Sequence, residues 1–526
     1  MLAHVLPNFT KKEISILEPS VGDGAFIEAF ASSHYLKNFK NISFTSVEKD
    51  ITELEKARRK ALRIKSKNAK FVFRGNNFLD WQSTSSGGYS LIVGNPPYVR
   101  RRYMHEDHVL ICEKIHKSAE LKAESIKNIW SAFLIRCVQL LSNEGIIAFV
   151  LPAELLQSNF TSTIRDFLLR QFQRVEIFTF NNLLFKSIGQ DTILLIGYKT
   201  SADKGTYYVN IEDIEQLQNR TFKLQLNEMV QRTNTKWTHH ILEPNEIELL
   251  DSLKKRFQKI DFYTGSKPGI VTAANQFFIV NTEKERKYEL SAYCHPIIQK
   301  GIFVNGKVSF EKADLSSLID SNRPSKFLDF SELKNGTIPS NVQKYLQLGI
   351  DDDIPSRYKC LKRDKWFVIP NISKPANAFF FKRCHAYPKL LKNEANVLVT
   401  DSAYEVNMRE GYNVDDFIFS FYNSVTLIFS ELSGRYYGGG VLELTPREFK
   451  NLPIPYVKLD TGAYREFKDK FRNKKSIQDI LDENDLTILG DVYQIREEEL
   501  LKLRLIRNKL VNKRLRKSND SKHSNI

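Results

Sequence analysis

The segment Tyr89-Ser-Leu-Ile-Val-Gly-Asn-Pro-Pro-Tyr98 constrains this chain more than any other stretch. Leu91-Ile92-Val93 reads as a buried strand, and it runs straight into Gly94-Asn95-Pro96-Pro97-Tyr98. Two consecutive prolines fix φ and remove two backbone donors, so strand pairing has to stop there. The carboxamide of Asn95, the carbonyl of Pro96 and the ring of Tyr98 are then displayed at the carboxyl end of a strand, the edge at which open α/β sheets bind ligands. A side-chain amide oxygen beside a fixed carbonyl makes a pair of acceptors for the two hydrogens of a planar amino group. An aromatic ring nearby can stack on whatever carries that amine. A polar turn with proline punctuation is the plainer reading of the same residues.

Upstream residues favour the ligand site. Ile14-Ser15-Ile16-Leu17 is a second β-rich run, and it empties into Glu18-Pro19-Ser20-Val21-Gly22-Asp23-Gly24-Ala25-Phe26. Gly22 and Gly24 permit a tight strand-to-helix turn and close approach of a ligand to the backbone. A helix from about Ala25 to Ser32 follows, with its N-terminus toward that ligand. Ile42 to Val47 forms the next strand and ends at Glu48, a carboxylate placed where such folds grip ribose hydroxyls.

The chain has 526 residues, enough for two or three domains. From Met1 to about Thr235, strand and helix signals alternate as in a doubly wound α/β sheet. Its expected elements include a helix over Ile51–Ile64, a strand at Phe71–Phe73, a helix over Asn128–Leu141, and strands at Gly145–Pro152, Val175–Phe178 and Thr192–Ile196. From about His240 to Val457, short strands, turn residues and scattered aromatics take over, as expected of a mixed α+β domain. After Lys458 the chain is helical and highly charged, with a basic run from Lys502 to Lys517 and a polar tail from Ser518 expected to be disordered.

Net charge is +16 and the isoelectric point is near 9.3, the footprint of a nucleic-acid binder. Cys112, Cys137, Cys294, Cys360 and Cys384 show no paired spacing, so neither a disulfide framework nor a metal site is expected, and a reducing cytoplasm is the default compartment. No apolar run is long enough to span a membrane, and Met1 does not lead a signal segment.

The order of these motifs resembles the S-adenosylmethionine-dependent amino-methyltransferases of DNA, in particular the gamma class of adenine methyltransferases from bacterial restriction-modification systems. The resemblance covers nearly the whole chain and implies a Rossmann-like catalytic domain over residues 1–235, a DNA target-recognition domain over 240–457 and a basic helical segment over 458–526. It implies that Glu18, Gly22 and Gly24 line the methionine side of S-adenosyl-L-methionine, with Asp23 and Phe26 shaping the loop, and that Glu48 accepts both ribose hydroxyls. The family places an Asp-Phe pair after the third strand against the cofactor's adenine; here the pair is Asn77-Phe78. Phe133, in Asn128-Ile129-Trp130-Ser131-Ala132-Phe133, matches a family aromatic that packs on the same ring, and a core role is the alternative. The family also carries a Thr-Pro helix ahead of the cofactor loop, of which Met1–Leu6 matches only the tail.

On the substrate side the resemblance implies that Asn95 and Pro96 hold the amino group of a flipped adenine while Tyr98 stacks on one face. Phe185 is the candidate for the other face, and Phe180 competes with it. Arg100, Arg101 and Arg102 follow directly and are candidates for phosphate contacts in double-stranded DNA. Gly265 to Phe278 resembles the entry motif of the recognition domain. Asn423-Ser424, Gly434 to Gly440 and Leu452-Pro453-Ile454-Pro455 resemble its closing pattern, the glycine triplet reading either as a phosphate cradle or as a turn. A monomer working beside a separate cognate restriction endonuclease is expected. Two other functions stay open: amino-methylation of RNA or of a protein glutamine, and DNA binding by a methyltransferase-like subunit without activity.

Overall fold

The computed structural model describes residues 1–33, 37–64, 66–83, 85, 87–122, 126–180, 191–212, 214–227, 237, 241–437 and 439–515. The chain divides into two compact units, Met1–His240 and Ile241–Ile526. Among the described residues no helix is long and apolar enough to cross a membrane.

The first unit is built on nine strands: β1 (Glu13–Glu18), β2 (Asn41–Val47), β3 (Ala69–Arg74), β4 (Tyr89–Gly94), β5 (Leu141–Pro152), β6 (Arg174–Phe180), β7 (Thr192–Tyr198), β8 (Gly205–Ile211) and β9 (Gln225–Leu226). They form one sheet in the order β3-β2-β1-β4-β5-β7-β6-β8-β9. The strands from β3 to β5 are parallel, whereas β7 runs antiparallel to both β5 and β6. The central strands β4, β6 and β7 are buried on both faces, which is why they read as near-continuous apolar runs, whereas the edge strands β3 and β9 are not. Ile16, Leu91 and Val93 enter one core with Phe30, Phe44 and Phe178, while Leu17 and Ile92 enter the other with Trp130, Phe149 and Ile177.

The chain leaves β1 outward through β2 to β3, then returns to lay β4 on the other side of β1. Ile16 faces Leu91 and Leu17 faces Ile92 in that pairing. The strand order therefore reverses between β1 and β4, and such a switch point opens a crevice above the carboxyl ends of the strands. The two motif-bearing loops both emerge there.

The glycines of the first loop serve different ends. Gly22 sits at φ +51° with open space where a side chain would be. Gly24, at φ +88°, precedes the helix Ala25–Ala31, and an added Cβ would stand 2.9 Å from the Cα of Ala57. Its small size is required by the helix Ile51–Leu62 packed behind it.

The second unit contains a five-stranded sheet, ordered Thr264–Pro268, Ala403–Met408, Ala378–Phe381, Lys389–Asn393 and Ser309–Phe310, with two smaller sheets beside it. The segment after Lys458 is part of this unit. Its helix Glu497–Leu515 buries two arginines. Arg514 makes a bidentate pair with Glu431 at 2.8 Å and donates to the carbonyls of His385 and Gly440. Arg507 reaches Asp482 at 2.9 Å and Asp485 at 3.6 Å. Gly440 thus spends its carbonyl on the fold, which favours the turn reading of the glycine stretch; Gly438 lies outside the described residues, as does the tail from Ser518. Asn423 caps the helix Ser424–Ser433 by accepting from the Thr426 N–H, so that pair is structural too.

Gly24→Ala should destabilise the first unit by about 2 kcal/mol or more, since the clash is with backbone and the φ is unfavourable for alanine. Gly22→Ala meets only the backbone penalty and should cost less. Denaturant midpoints of the two variants measure the difference, and equal midpoints would refute the packing role.

Candidate active site

The loop after β1 and the loop after β4 are physically joined. Pro19 packs on Gly94, where an added Cβ would meet its ring at 3.3 Å. The Ser20 hydroxyl donates to the Asn95 carbonyl at 3.2 Å. Neither Pro19 nor Ser20 carried a signal beyond lying in the loop, so this joint was not legible in the sequence.

Asn95 is fixed from two sides. Its main-chain oxygen takes the Ser20 bond, and its side-chain Oδ1 accepts from the Tyr98 hydroxyl at 2.8 Å. The same hydroxyl lies 3.0 Å from the Val150 carbonyl on β5. The Tyr98 ring is half-buried against the core, and burial holds its hydroxyl protonated well beyond the usual phenol range. Pro96 is buried. Tyr98 is therefore a brace for the Asn95 amide, a role that its motif did not announce.

On the cofactor side, Glu18 is 1% exposed, and its Oε2 is buried with no hydrogen-bond partner among the described residues. Burial, then Asp23 and Glu48 nearby, push its carboxyl well above the ordinary range. An orphaned acceptor in an acidic neighbourhood suits a bound cation such as the ammonium of an amino-acid moiety. Glu48 accepts from the Gly22 N–H at 3.1 Å and the Asp50 N–H at 3.0 Å, which fixes the carboxylate at the end of β2 while leaving lone pairs for two hydroxyls. These residues fit S-adenosyl-L-methionine.

The remaining candidates divide. Asp23 is exposed and pairs with Lys60 at 2.9 Å, while Phe26 is half-buried against the core. Asn77 donates through Nδ2 to Asp80 at 2.7 Å, a partner overlooked in the sequence, and its Oδ1 lies 3.4 Å from the Leu79 N–H. Phe78 and Phe133 are both buried and pack on each other with centroids 5.2 Å apart. They sit in the core, as the plainer reading of Phe133 allowed. Arg101 pairs with Glu113 at 2.8 Å, whereas Arg100 and Arg102 are exposed, and all three line a groove of 840 Å³. The strand pairing of Arg100 with Asn128 and the bond from the Arg101 N–H to the Lys127 carbonyl hold this basic segment in place. Phe180 is buried at the end of β6, and Phe185 lies outside the described residues.

The state of Glu18 gives a pH dependence with a definite sign. In the free protein its proton is held above the ordinary carboxylate range, so an energetic penalty grows as pH rises past that range. A neighbouring ammonium stabilises the carboxylate and lowers that value. Cofactor binding should then release a proton, and affinity should rise with pH through the free-state value. Calorimetry in buffers of different ionisation enthalpy reads the proton count. Glu18→Gln should abolish the release, raise the melting temperature of the free protein and weaken binding on the order of 30-fold or more; an unchanged proton count in the variant would exclude Glu18.

Residues 11–185 match the Eco57I restriction-modification methylase family, and residues 234–489 match the C-terminal domain of type II methyltransferase M.Eco57I. Type II methyltransferase M.AccI of Acinetobacter calcoaceticus is 24% identical across 91% of this chain and 89% of its own length. The type II restriction enzyme and methyltransferase RM.Eco57I of Escherichia coli is 24% identical over 38% of this chain, which spans only 20% of that longer protein. Among solved structures, the type IIL restriction-modification enzyme MmeI in complex with DNA shares the fold, with a TM-score of 0.57, 12% identity, and coverage of 95% of this chain and 70% of its own. With two adjoining domains of one family matched in order, the chain belongs to the Eco57I type II restriction-modification methyltransferases, enzymes that take their methyl group from S-adenosyl-L-methionine.

Proposed function

We propose that the chain methylates the exocyclic amino group of an adenine, flipped out of double-stranded DNA at a short specific sequence. The observation that carries this reading is the braced Asn95 amide at the β1/β4 switch point, joined through Ser20 to the cofactor loop. With Tyr98 donating to Oδ1, the amide has a fixed orientation, and Oδ1 retains a lone pair for an incoming N–H. The Pro96 carbonyl, on a proline-locked backbone, is the second acceptor.

The chemistry explains why such acceptors suffice. The amino nitrogen of adenine delocalises its lone pair into the ring and is a poor nucleophile. Acceptors on both hydrogens favour a pyramidal nitrogen and concentrate the lone pair toward the methyl group. S-adenosyl-L-methionine, which Glu18, Gly22 and Glu48 would hold, would supply the methyl group, its sulfur–carbon bond giving up its electron pair to sulfur as the nitrogen–carbon bond forms. The methylated ammonium is strongly acidic and loses its proton without a dedicated base. Positioning and preorganised polarity are thus the main contributions asked of the protein.

A base inside a duplex cannot reach this crevice, so it must be extruded and held by stacking. Tyr98 and Phe185 are the aromatics proposed for that, with Arg100 and Arg102 on flanking phosphates. The modification would protect host DNA from a separate cognate endonuclease. The isolated chain with magnesium should leave plasmid DNA intact, and cleavage would overturn that part.

Long-read sequencing with base-modification detection, on DNA from a host expressing the chain, tests the main reading. Methyladenine is expected at one short motif, with activity falling about 10²-fold in Asn95→Ala. Tyr98→Phe keeps the ring but removes the brace, and should lower kcat by roughly tenfold with KM little changed. Methylcytosine at the motif, or labelled protein with unlabelled DNA, would replace adenine as the substrate.

A further inference from the structure

The second unit carries a stretch that neither the sequence reading nor the family match singles out, Ser356 to Lys365. It holds Arg357, Lys359, Lys362, Arg363 and Lys365 against a single acid, Asp364, which is paired with Lys334 at 2.8 Å. Tyr358 and Leu361 are each 69% exposed on it, and Lys362 lies over the Tyr358 ring at 4.4 Å.

This stretch is fastened to the loop Val271–Gln276. Arg363 donates to the carbonyls of Val271 and Thr272 at 3.1 and 2.9 Å, and Arg357 donates to that of Ala273 at 3.1 Å. Ala273 is thereby held at φ +64°, a left-handed conformation that alanine rarely adopts. The Thr272 hydroxyl bonds Asn275 Oδ1 and accepts from the Ala274 N–H at 3.1 Å. Gln276 follows, exposed, with no hydrogen-bond partner recorded among the described residues.

The loop borders a 630 Å³ pocket whose lining includes Asn275, Gln276, Asp351, Asp352, Arg357 and Asp401. Its carboxylates, which stand beside Lys284 and Arg357, can accept hydrogen bonds from an exocyclic amino group. The cationic stretch has the opposite preference. The geometry points to a duplex-DNA contact face, in which Lys359 and Lys362 meet backbone phosphates and Gln276, at the mouth of the pocket, reads a base edge. This inference rests on the DNA methyltransferase reading and names where the recognition domain touches its substrate.

Neither Lys359 nor Gln276 has structural work to lose, so their variants should fold. For Lys359→Ala/Lys362→Ala, affinity should fall alike for specific and unrelated duplexes. The slope of log K against log salt should flatten by about 1.8, or ~0.9 per lost phosphate contact, and Lys359→Arg/Lys362→Arg should restore it. Gln276→Ala should leave that slope alone and relax the methylated motif at one base pair in long-read sequencing. A double variant with wild-type slope and affinity overturns the phosphate contacts, and an unrelaxed motif in Gln276→Ala overturns the base reading. Should the wild-type chain itself neither bind nor methylate DNA, the underlying function fails instead.

Discussion

The parallel pairing of β1 with β4 is the constraint on which the rest of the first unit depends. Because the chain goes outward from β1 and comes back beside it, the loops at residues 18–24 and 94–98 are forced to leave the sheet together, though far apart in sequence. Their contact, Pro19 on Gly94 and Ser20 on the Asn95 carbonyl, turns two separate loops into one wall. The loop after β1 brings the buried Glu18 with its acidic neighbours, and the loop after β4 brings the fixed Asn95 amide. Methyl transfer needs those two environments side by side, and the topology supplies the adjacency before any side chain is chosen.

Buried charge is met by partners in both units, as where Glu176 of the first takes bonds from His4 and Arg174, but Glu18 stands apart. In the second, Arg514 and Glu431 pair with good geometry, and Arg507 is met by Asp482 and Asp485. Burial still pushes the Asp485 carboxyl up to about 6. In the first unit, Glu18 is buried with one oxygen unpaired and other carboxylates nearby. A structural carboxylate so placed would be a liability. One that awaits a ligand's cation contributes affinity for the same reason that it is uncomfortable alone.

The parallel core was legible because β-rich runs such as Leu91-Ile92-Val93 are closed by distinctive turns, and Asn-Pro-Pro-Tyr marked its own strand end. Glu48 was marked by its place at a strand tip, and Glu18 by the family resemblance alone. What sequence withheld was which groups finish each site: the Ser20 hydroxyl, the Val150 carbonyl and Asp80 all act through spatial neighbours. Gly22 and Gly24 were read as a tight turn with room for a ligand; both sit at positive φ, and at Gly24 the missing Cβ also makes room for Ala57. Phe133 has the spacing of a core residue on its helix and is buried in the core, where Phe78, read only as a cofactor contact, packs with it. The second unit resisted reading because its sheet joins Thr264–Pro268 to Ala403–Met408, short strands whose pairing no local pattern encodes. Long-range register of that kind is set by packing, not by propensity.

The buried guanidiniums of the helix Glu497–Leu515 also impose an order in time. Glu431 and its partner Arg514 are 83 residues apart, so during synthesis the carboxylate emerges well before the cation that compensates it. Until then the helix Ser424–Ser433 cannot bury that face without stranding an acid, at a penalty of about 3–5 kcal/mol for an uncompensated buried charge. In the first unit the buried Glu176 takes bonds from His4 and Arg174, both of which precede it, so that charge is met as it is made while the second unit is still emerging. A chain interrupted before Arg507 would therefore leave Glu431 without its cation in the second unit, although the sheet of the first is already made.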